Sequence, residues 1–163
     1  MSGENVLFFD PQKCIGCRLC EIWCSIEHFG VINPRKSNIR IIRDHEKQID
    51  LANYCHQCTD YPCIEACNFD ALSQDEKNTA INIEIENCVG CGLCVEACPH
   101  DEAILRPDEK KIMICDLCGG DPVCVDHCPE QAIIFVGRDQ AMEKQKDLIY
   151  KHEPKLLKTE DAE

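Results

Sequence analysis

Sixteen cysteines fall into four tight groups: Cys14, Cys17, Cys20, Cys24; Cys55, Cys58, Cys63, Cys67; Cys88, Cys91, Cys94, Cys98; and Cys115, Cys118, Cys124, Cys128. Every group closes with C-x3-C, and two of them open with C-x2-C-x2-C. In such a curl the chain wraps one face of a cube. Three thiolates reach three irons while the intervening amides turn towards the cluster sulfurs, and the fourth cysteine points elsewhere. All sixteen cysteines are therefore candidate ligands, and the expected cofactors are four [4Fe-4S] clusters. Four such centres in one chain make a wire for single electrons.

Two other uses of the same thiols weigh less. Structural zinc takes two C-x2-C pairs separated by a longer loop, whereas here three donors share one short curl, and the two wider groups are where zinc would be sought. Disulfides need an oxidising compartment. No basic-then-apolar leader precedes Phe8, and no apolar run approaches the roughly 20 residues of a membrane span, so a cytoplasmic chain without direct membrane insertion is expected. Aromatic residues make up only 6% of the chain, so bound clusters must replace much of an ordinary core. A net charge of −13 argues against nucleic acid and favours protein partners with a basic rim.

The elements that must position these thiols are small. Cys14 to Cys20 and Cys88 to Cys94 share C-x-G-C-x-L-C, while the second and fourth groups share a widened gap containing Pro62 or Pro122, so the groups alternate A-B-A-B. Short β-rich runs separate them at 6–9, 39–42, 49–54, 81–85, 111–114 and 132–136. Residues 25–54 form the longest cysteine-free connection, with a hairpin expected across 44–48. An amphipathic helix is expected over 138–152, stopped by Pro154 and available to grip a partner. The fold class is α+β, with small antiparallel strands and short helices.

Gly16, Gly90, Gly92, Gly119 and Gly120 would allow positive φ or close backbone approach to a cluster. Leu19, Ile22, Ile64, Leu93, Val95, Ala97 and Val125 would shield the cubes from water. Among the histidines, His56 and His127 lie inside cysteine groups and are better placed to hydrogen-bond sulfur than His28, His45, His100 or His152. Trp23 is expected to pack against a cluster. No nucleophile triad, phosphate loop or nucleotide fingerprint is present, so no catalytic residue is assigned.

The run from Cys88 to Pro99 carries the complete C-x2-C-x2-C-x3-C-P of bacterial two-cluster ferredoxins; Ser25 and Asn68 replace that proline in groups one and two. Residues 55–99 resemble one whole ferredoxin, and the outer groups resemble a second one split around it, with 6–9 and 132–136 pairing as its first and last strands. This arrangement is similar to the four-cluster electron-transfer subunits of molybdenum and tungsten oxidoreductases. Within them, the run Cys115 to Pro129 most resembles the small iron–sulfur subunits of the tungsten aldehyde oxidoreductase family, which includes the tungsten benzoyl-CoA reductase system.

That resemblance implies two nested bacterial-ferredoxin-like lobes around four [4Fe-4S] clusters. Residues 1–30 plus 110–137 would form the outer lobe, 31–54 a connecting insertion, 55–109 the inner lobe and 138–163 a C-terminal helix and tail. It also implies a ligand partition: Cys14, Cys17, Cys20 and Cys128 for cluster 1; Cys24, Cys115, Cys118 and Cys124 for cluster 2; Cys55, Cys58, Cys63 and Cys98 for cluster 3; Cys67, Cys88, Cys91 and Cys94 for cluster 4. The A-B-A-B order alone also permits groups one with two and three with four. The implied partners are a catalytic oxidoreductase subunit, with tungsten or molybdenum on a pterin, and a second electron donor or acceptor protein. A freely diffusing polyferredoxin and a structural zinc protein are the alternative readings.

Overall fold

Four two-stranded antiparallel sheets frame the cysteine groups. They are seen in a computed structural model that describes residues 5–106 and 108–152. β1 (Asn5–Phe9) pairs with β8 (Ile133–Gly137), so the two ends of the cysteine-bearing region are stitched together, from Asn5 opposite Gly137 to Phe9 opposite Ile133. Val6, Leu7 and Phe8 are all buried. β2 (Arg40–Asp44) and β3 (Ile49–Asn53) form the hairpin expected across 44–48. Its turn is built by Asp44, whose Oδ1 accepts the amides of Glu46 and Lys47. β4 (Leu72–Gln74) pairs with β5 (Ile81–Ile83), and β6 (Ile104–Leu105) with β7 (Ile112–Met113). β4 and β6 were not anticipated as strands, because two or three residues are too few to show an alternating pattern.

The cysteine groups repeat at the level of backbone angles. The residue before the second cysteine of each group is left-handed: Gly16 at φ 67°, Gln57 at 51°, Gly90 at 71° and Leu117 at 55°. Glycine takes that conformation without strain, whereas Gln57 and Leu117 must be held there by burial and hydrogen bonds. Close approach also matters at Gly90. A β-carbon there would collide with the backbone carbonyl of Lys110.

Each group also carries one helix. α2 (Pro62–Glu65), α3 (Leu93–Glu96) and α4 (Val123–Asp126) are single turns, each holding the third cysteine of its group. A left-handed residue follows three positions after the fourth cysteine, at Asp70, Asp101 and Gln131. The first group departs from this rule, because α1 (Leu19–Phe29) runs straight through Cys24 to a glycine cap at Gly30. Ser25 stands where Pro99 and Pro129 follow the other fourth cysteines, and a proline would remove a helical amide. Missing proline is permissive only, since α2 stops although Asn68 is not proline either. What extends α1 is anchoring: Ser25 Oγ donates to the carbonyl of Ile22 and accepts the amide of Asn33, and Glu21 Oε1 accepts the amide of Ile41 at 2.6 Å. The cysteine spacing alone does not announce this helix, because Cys20 and Cys24 fit the C-x3-C that closes every group.

Two apolar clusters organise the interior. One gathers Ala71, Leu72, Ile81, Ala103, Ile112 and Ile114 around Cys63, Cys88 and Cys94; the other gathers Leu7, Ile39, Tyr54, Ala80, Leu117 and Ile133 around Cys24 and Cys124. Ile39 and Tyr54 flank the β2–β3 hairpin, so the long connection packs into the second cluster. Arg40 donates across the hairpin to Asn53 Oδ1 and ties it to the rest of the chain through the carbonyl of Glu102. α5 (Arg138–His152) follows β8 directly and packs against β1 and β8. Pro154 and the tail lie outside the described residues.

Ser25→Pro should truncate α1 after Cys24 and destabilise the loaded protein by about 3 kcal/mol. Anaerobic thermal unfolding followed by circular dichroism would measure it.

Candidate functional site

Three enclosures are each lined by four cysteines drawn from two different groups. Cys14, Cys17 and Cys20 share one with Cys128, walled by Phe9, Leu19, Ile39 and Ile133. Cys55, Cys58 and Cys63 share a second with Cys98, beside Tyr61, Ile81 and Ile114. Cys88, Cys91 and Cys94 share a third with Cys67, beside Leu72, Leu105 and Ile112. The remaining four thiols lie within electrostatic reach of their neighbours: Cys24 and Cys118 act on Cys124, as does Cys20, and Cys124 and Cys24 act on Cys115, as does Cys55.

All sixteen thiols are free of disulfides. Burial pushes the Cys20 and Cys55 thiols up to about 12 and those of Cys63 and Cys94 up to about 11. Backbone amides aim at sulfur: Gly16 at Cys14 (3.5 Å), Gln57 at Cys55 (3.4 Å), Ile112 at Cys88 (3.5 Å), Glu102 at Cys98 (3.4 Å) and Ala132 at Cys128 (3.3 Å). Four-thiol donor sets with apolar walls and inward amides fit iron–sulfur cubes, whose thiolate and sulfide charge those amides compensate.

Cys24 differs from the rest. Burial alone would raise its thiol, but hydrogen bonds from His28 and Ser37, the positive charge of His28 and the amide of Asn38 at 3.3 Å bring it below its ordinary value. His28 lies one turn beyond Cys24 on α1, with Nδ1 at 2.8 Å from the Cys24 carbonyl and 3.8 Å from its sulfur, and Nε2 at 2.9 Å from Asp116 Oδ1. The bonds to Asp116 and Cys24 push His28 up to about 11, so it is a charged donor. His28, Asp116 and Cys118 place ligand atoms within 4.8 Å of one another. An imidazolium donates to this group and does not ligate metal.

The histidines inside cysteine groups are otherwise engaged. His56 pairs with buried Glu102 at 2.6 Å and stacks between Tyr54 and His100, while His127 stacks on Trp23 at 3.7 Å between ring centroids. Trp23 thus packs on a histidine next to Cys128. The sequence ranks His28 below His56 and His127 and does not single out Asp116, because their pairing spans 88 positions and depends on α1 continuing past Cys24. The i, i+4 spacing from Cys24 was the available signal. Gln57 was also passed over. Fully buried, it donates from Nε2 to the Cys115 carbonyl at 2.7 Å and accepts Arg138 on its own carbonyl, linking the second cysteine group to the fourth and to α5.

Residues 46–139, which hold twelve of the sixteen cysteines, match the 4Fe-4S dicluster domain family. The chain belongs to that family. It is an iron–sulfur electron-transfer protein. The chain is 46% identical over 124 residues to the "Aliphatic sulfonate oxidoreductase, polyferredoxin-like subunit" of Pyrococcus furiosus, covering 76% of this chain and 71% of that relative. It is 33% identical over 160 residues to "Electron transport protein HydN" of Escherichia coli K12, covering 84% of this chain and 90% of that one. A solved complex titled "Active site complex BamBC of Benzoyl Coenzyme A reductase in complex with Benzoyl-CoA" contains a chain similar over 91% of this one and 90% of its own length, at 26% identity and a TM-score of 0.50. Among the described residues, no helix is long and apolar enough to cross a membrane.

Thiols titrating near 11 to 12 are protonated at neutral pH, and each ligation must expel a proton, so acid opposes assembly. Anaerobic reconstitution with iron and sulfide should accordingly give rising yields from pH 6 to pH 9, read from bound iron per chain. His28→Leu removes a charged donor from Cys24; in an anaerobic redox titration monitored by electron paramagnetic resonance, the potential of one cluster should move negative while the others hold.

Proposed function

We propose that this chain is a non-catalytic relay subunit holding four [4Fe-4S] clusters, and that it carries single electrons between a catalytic oxidoreductase subunit with tungsten or molybdenum and a second redox protein in the cytoplasm. The ligands would be Cys14, Cys17, Cys20 and Cys128 for cluster 1; Cys24, Cys115, Cys118 and Cys124 for cluster 2; Cys55, Cys58, Cys63 and Cys98 for cluster 3; and Cys67, Cys88, Cys91 and Cys94 for cluster 4. The observation that carries this reading is the lining of the three enclosures, in each of which one group supplies three thiols and a distant group the fourth. Pairing of β1 with β8 supports an outer lobe, of residues 1–30 and 110–137, closed around an inner one of 55–109.

The clusters supply one-electron chemistry when bound; the chain holds them, excludes water and sets their order. Cys20 lies within electrostatic reach of Cys124, and Cys55 within reach of Cys115. Those neighbours, with Gln57 bridging to Cys115, support the series 1–2–3–4. The two exposed cysteines, Cys17 and Cys91, then belong to the two ends of that series.

Anaerobically purified protein should contain about sixteen irons and sixteen sulfides per chain and no stoichiometric zinc. Half that iron would refute the cluster count. Anaerobic pull-down of the native chain should bring a pterin-metal enzyme with it, whereas a chain recovered alone would favour the freely diffusing polyferredoxin.

A further inference from the structure

The two ends of the chain's cysteine series are not chemically alike. At Cys17 the surface offers one large exposed apolar residue, Ile15 at 61%, between exposed Lys13 and Arg18; Glu130 is the exposed acid lining the same enclosure, and buried Glu21 lies 3.8 Å from Arg18. At Cys91 two large exposed apolar residues, Val89 at 60% and Phe69 at 45%, line the enclosure, and a third, Leu93 at 38%, follows the cysteine by two positions. Soluble proteins rarely leave such residues uncovered in a group without a partner to cover them.

Exposed acids flank the segments that line this second mouth. Exposed Asp70 follows Phe69 and is held to the Cys88 segment by Asn87 Nδ2, which donates to its carbonyl at 3.4 Å. Exposed Glu84 and Glu86 precede Cys88, and exposed Glu96 lies one turn beyond Leu93 on α3. Lys110 is the exposed cation beside it, its backbone carbonyl lying against Gly90, while Lys111 is turned inward onto the carbonyls of Ile85 and Cys88.

We propose that the apolar mouth around Cys91 is the docking face for a redox protein whose own electron-transfer centre lies beneath a surface rich in Lys and Arg. The apolar collar excludes water where the exposed thiol comes closest to the partner, and the acidic rim steers a basic face onto it. The Cys17 mouth, rimmed by Lys13 and Arg18, is left for a partner of different surface chemistry. This assignment rests on the relay reading given above, and it adds which end meets which kind of surface.

Cytochrome c, a basic protein with its haem edge at the surface, is a suitable probe. Its reduction by the fully loaded, dithionite-reduced chain is followed by stopped flow at several salt concentrations. Glu86→Lys/Glu96→Lys should slow the second-order reaction about tenfold at low salt and flatten its salt dependence. The charge-matched pair Glu76→Lys/Glu143→Lys should change it by no more than about twofold. Phe69→Ser/Val89→Ser should slow the reaction while keeping the salt slope. Equal losses from both charge-reversed pairs would reduce the effect to net charge and overturn the proposal, as would a larger change from Lys13→Glu/Arg18→Glu than from the Cys91-side pair. Sedimentation of the wild type as a dimer, lost in Phe69→Ser/Val89→Ser, would make the occupant a second copy of this chain and likewise overturn it. Iron and sulfide are measured on every variant. Their absence from the wild type would refute the relay reading itself, whereas their presence with no rim effect would refute only the docking face.

Discussion

Everything in this structure depends on thiols from distant stretches of chain facing one enclosure. A curl of three cysteines can form locally, but the fourth sulfur comes from a segment tens of residues away, and from more than a hundred away between Cys20 and Cys128. Closing such a loop costs conformational entropy that the small sheets, of two to five residues per strand, offset poorly by themselves. Both apolar clusters include cysteines. Metal and fold are in this sense one equilibrium, because the groups that bind iron are also the groups that fill the interior.

The same constraint explains the backbone. Three sulfurs can converge from a short curl only if the chain reverses inside it, which accounts for a left-handed residue before the second cysteine of all four groups. Two positions meet this with glycine. The others are held by their surroundings: Gln57 is fully buried and hydrogen-bonded across to Cys115, and Leu117 is fully buried in an apolar cluster. Strain accepted at Gln57 is thereby put to use, since that residue joins the neighbourhoods of Cys55 and Cys115.

Departures from the repeat carry as much information as the repeat itself. Ser25 lets α1 continue where α3 and α4 stop, and the additional turns deliver His28 to Cys24 and Asp116. Cys24 thereby acquires a positively charged hydrogen-bond donor, which sets its surroundings apart electrostatically. The hairpin of residues 40–53 is likewise more than a connection, because its flanks, Ile39 and Tyr54, complete the apolar cluster around Cys24 and Cys124.

Cysteine type and spacing were enough, read along the chain, to indicate iron–sulfur chemistry, because thiolate geometry around a cube is a local constraint that leaves a periodic trace; short patterned runs indicated an α+β fold of small elements, and the pairing of the two ends was implied by the ferredoxin resemblance. What tertiary structure alone decided were relations between segments that follow no period. Cys128 shares an enclosure with Cys14, a pairing that the order of the groups left open and only the family resemblance implied. Gln57, not a glycine, makes the second curl, and it reaches Cys115. His28 stands over Cys24 because a helix ran on, and Phe69 and Val89 share one exposed mouth because Cys67 is brought to Cys91. Such contacts are selected by packing energy across the whole molecule, so no single stretch of residues records them.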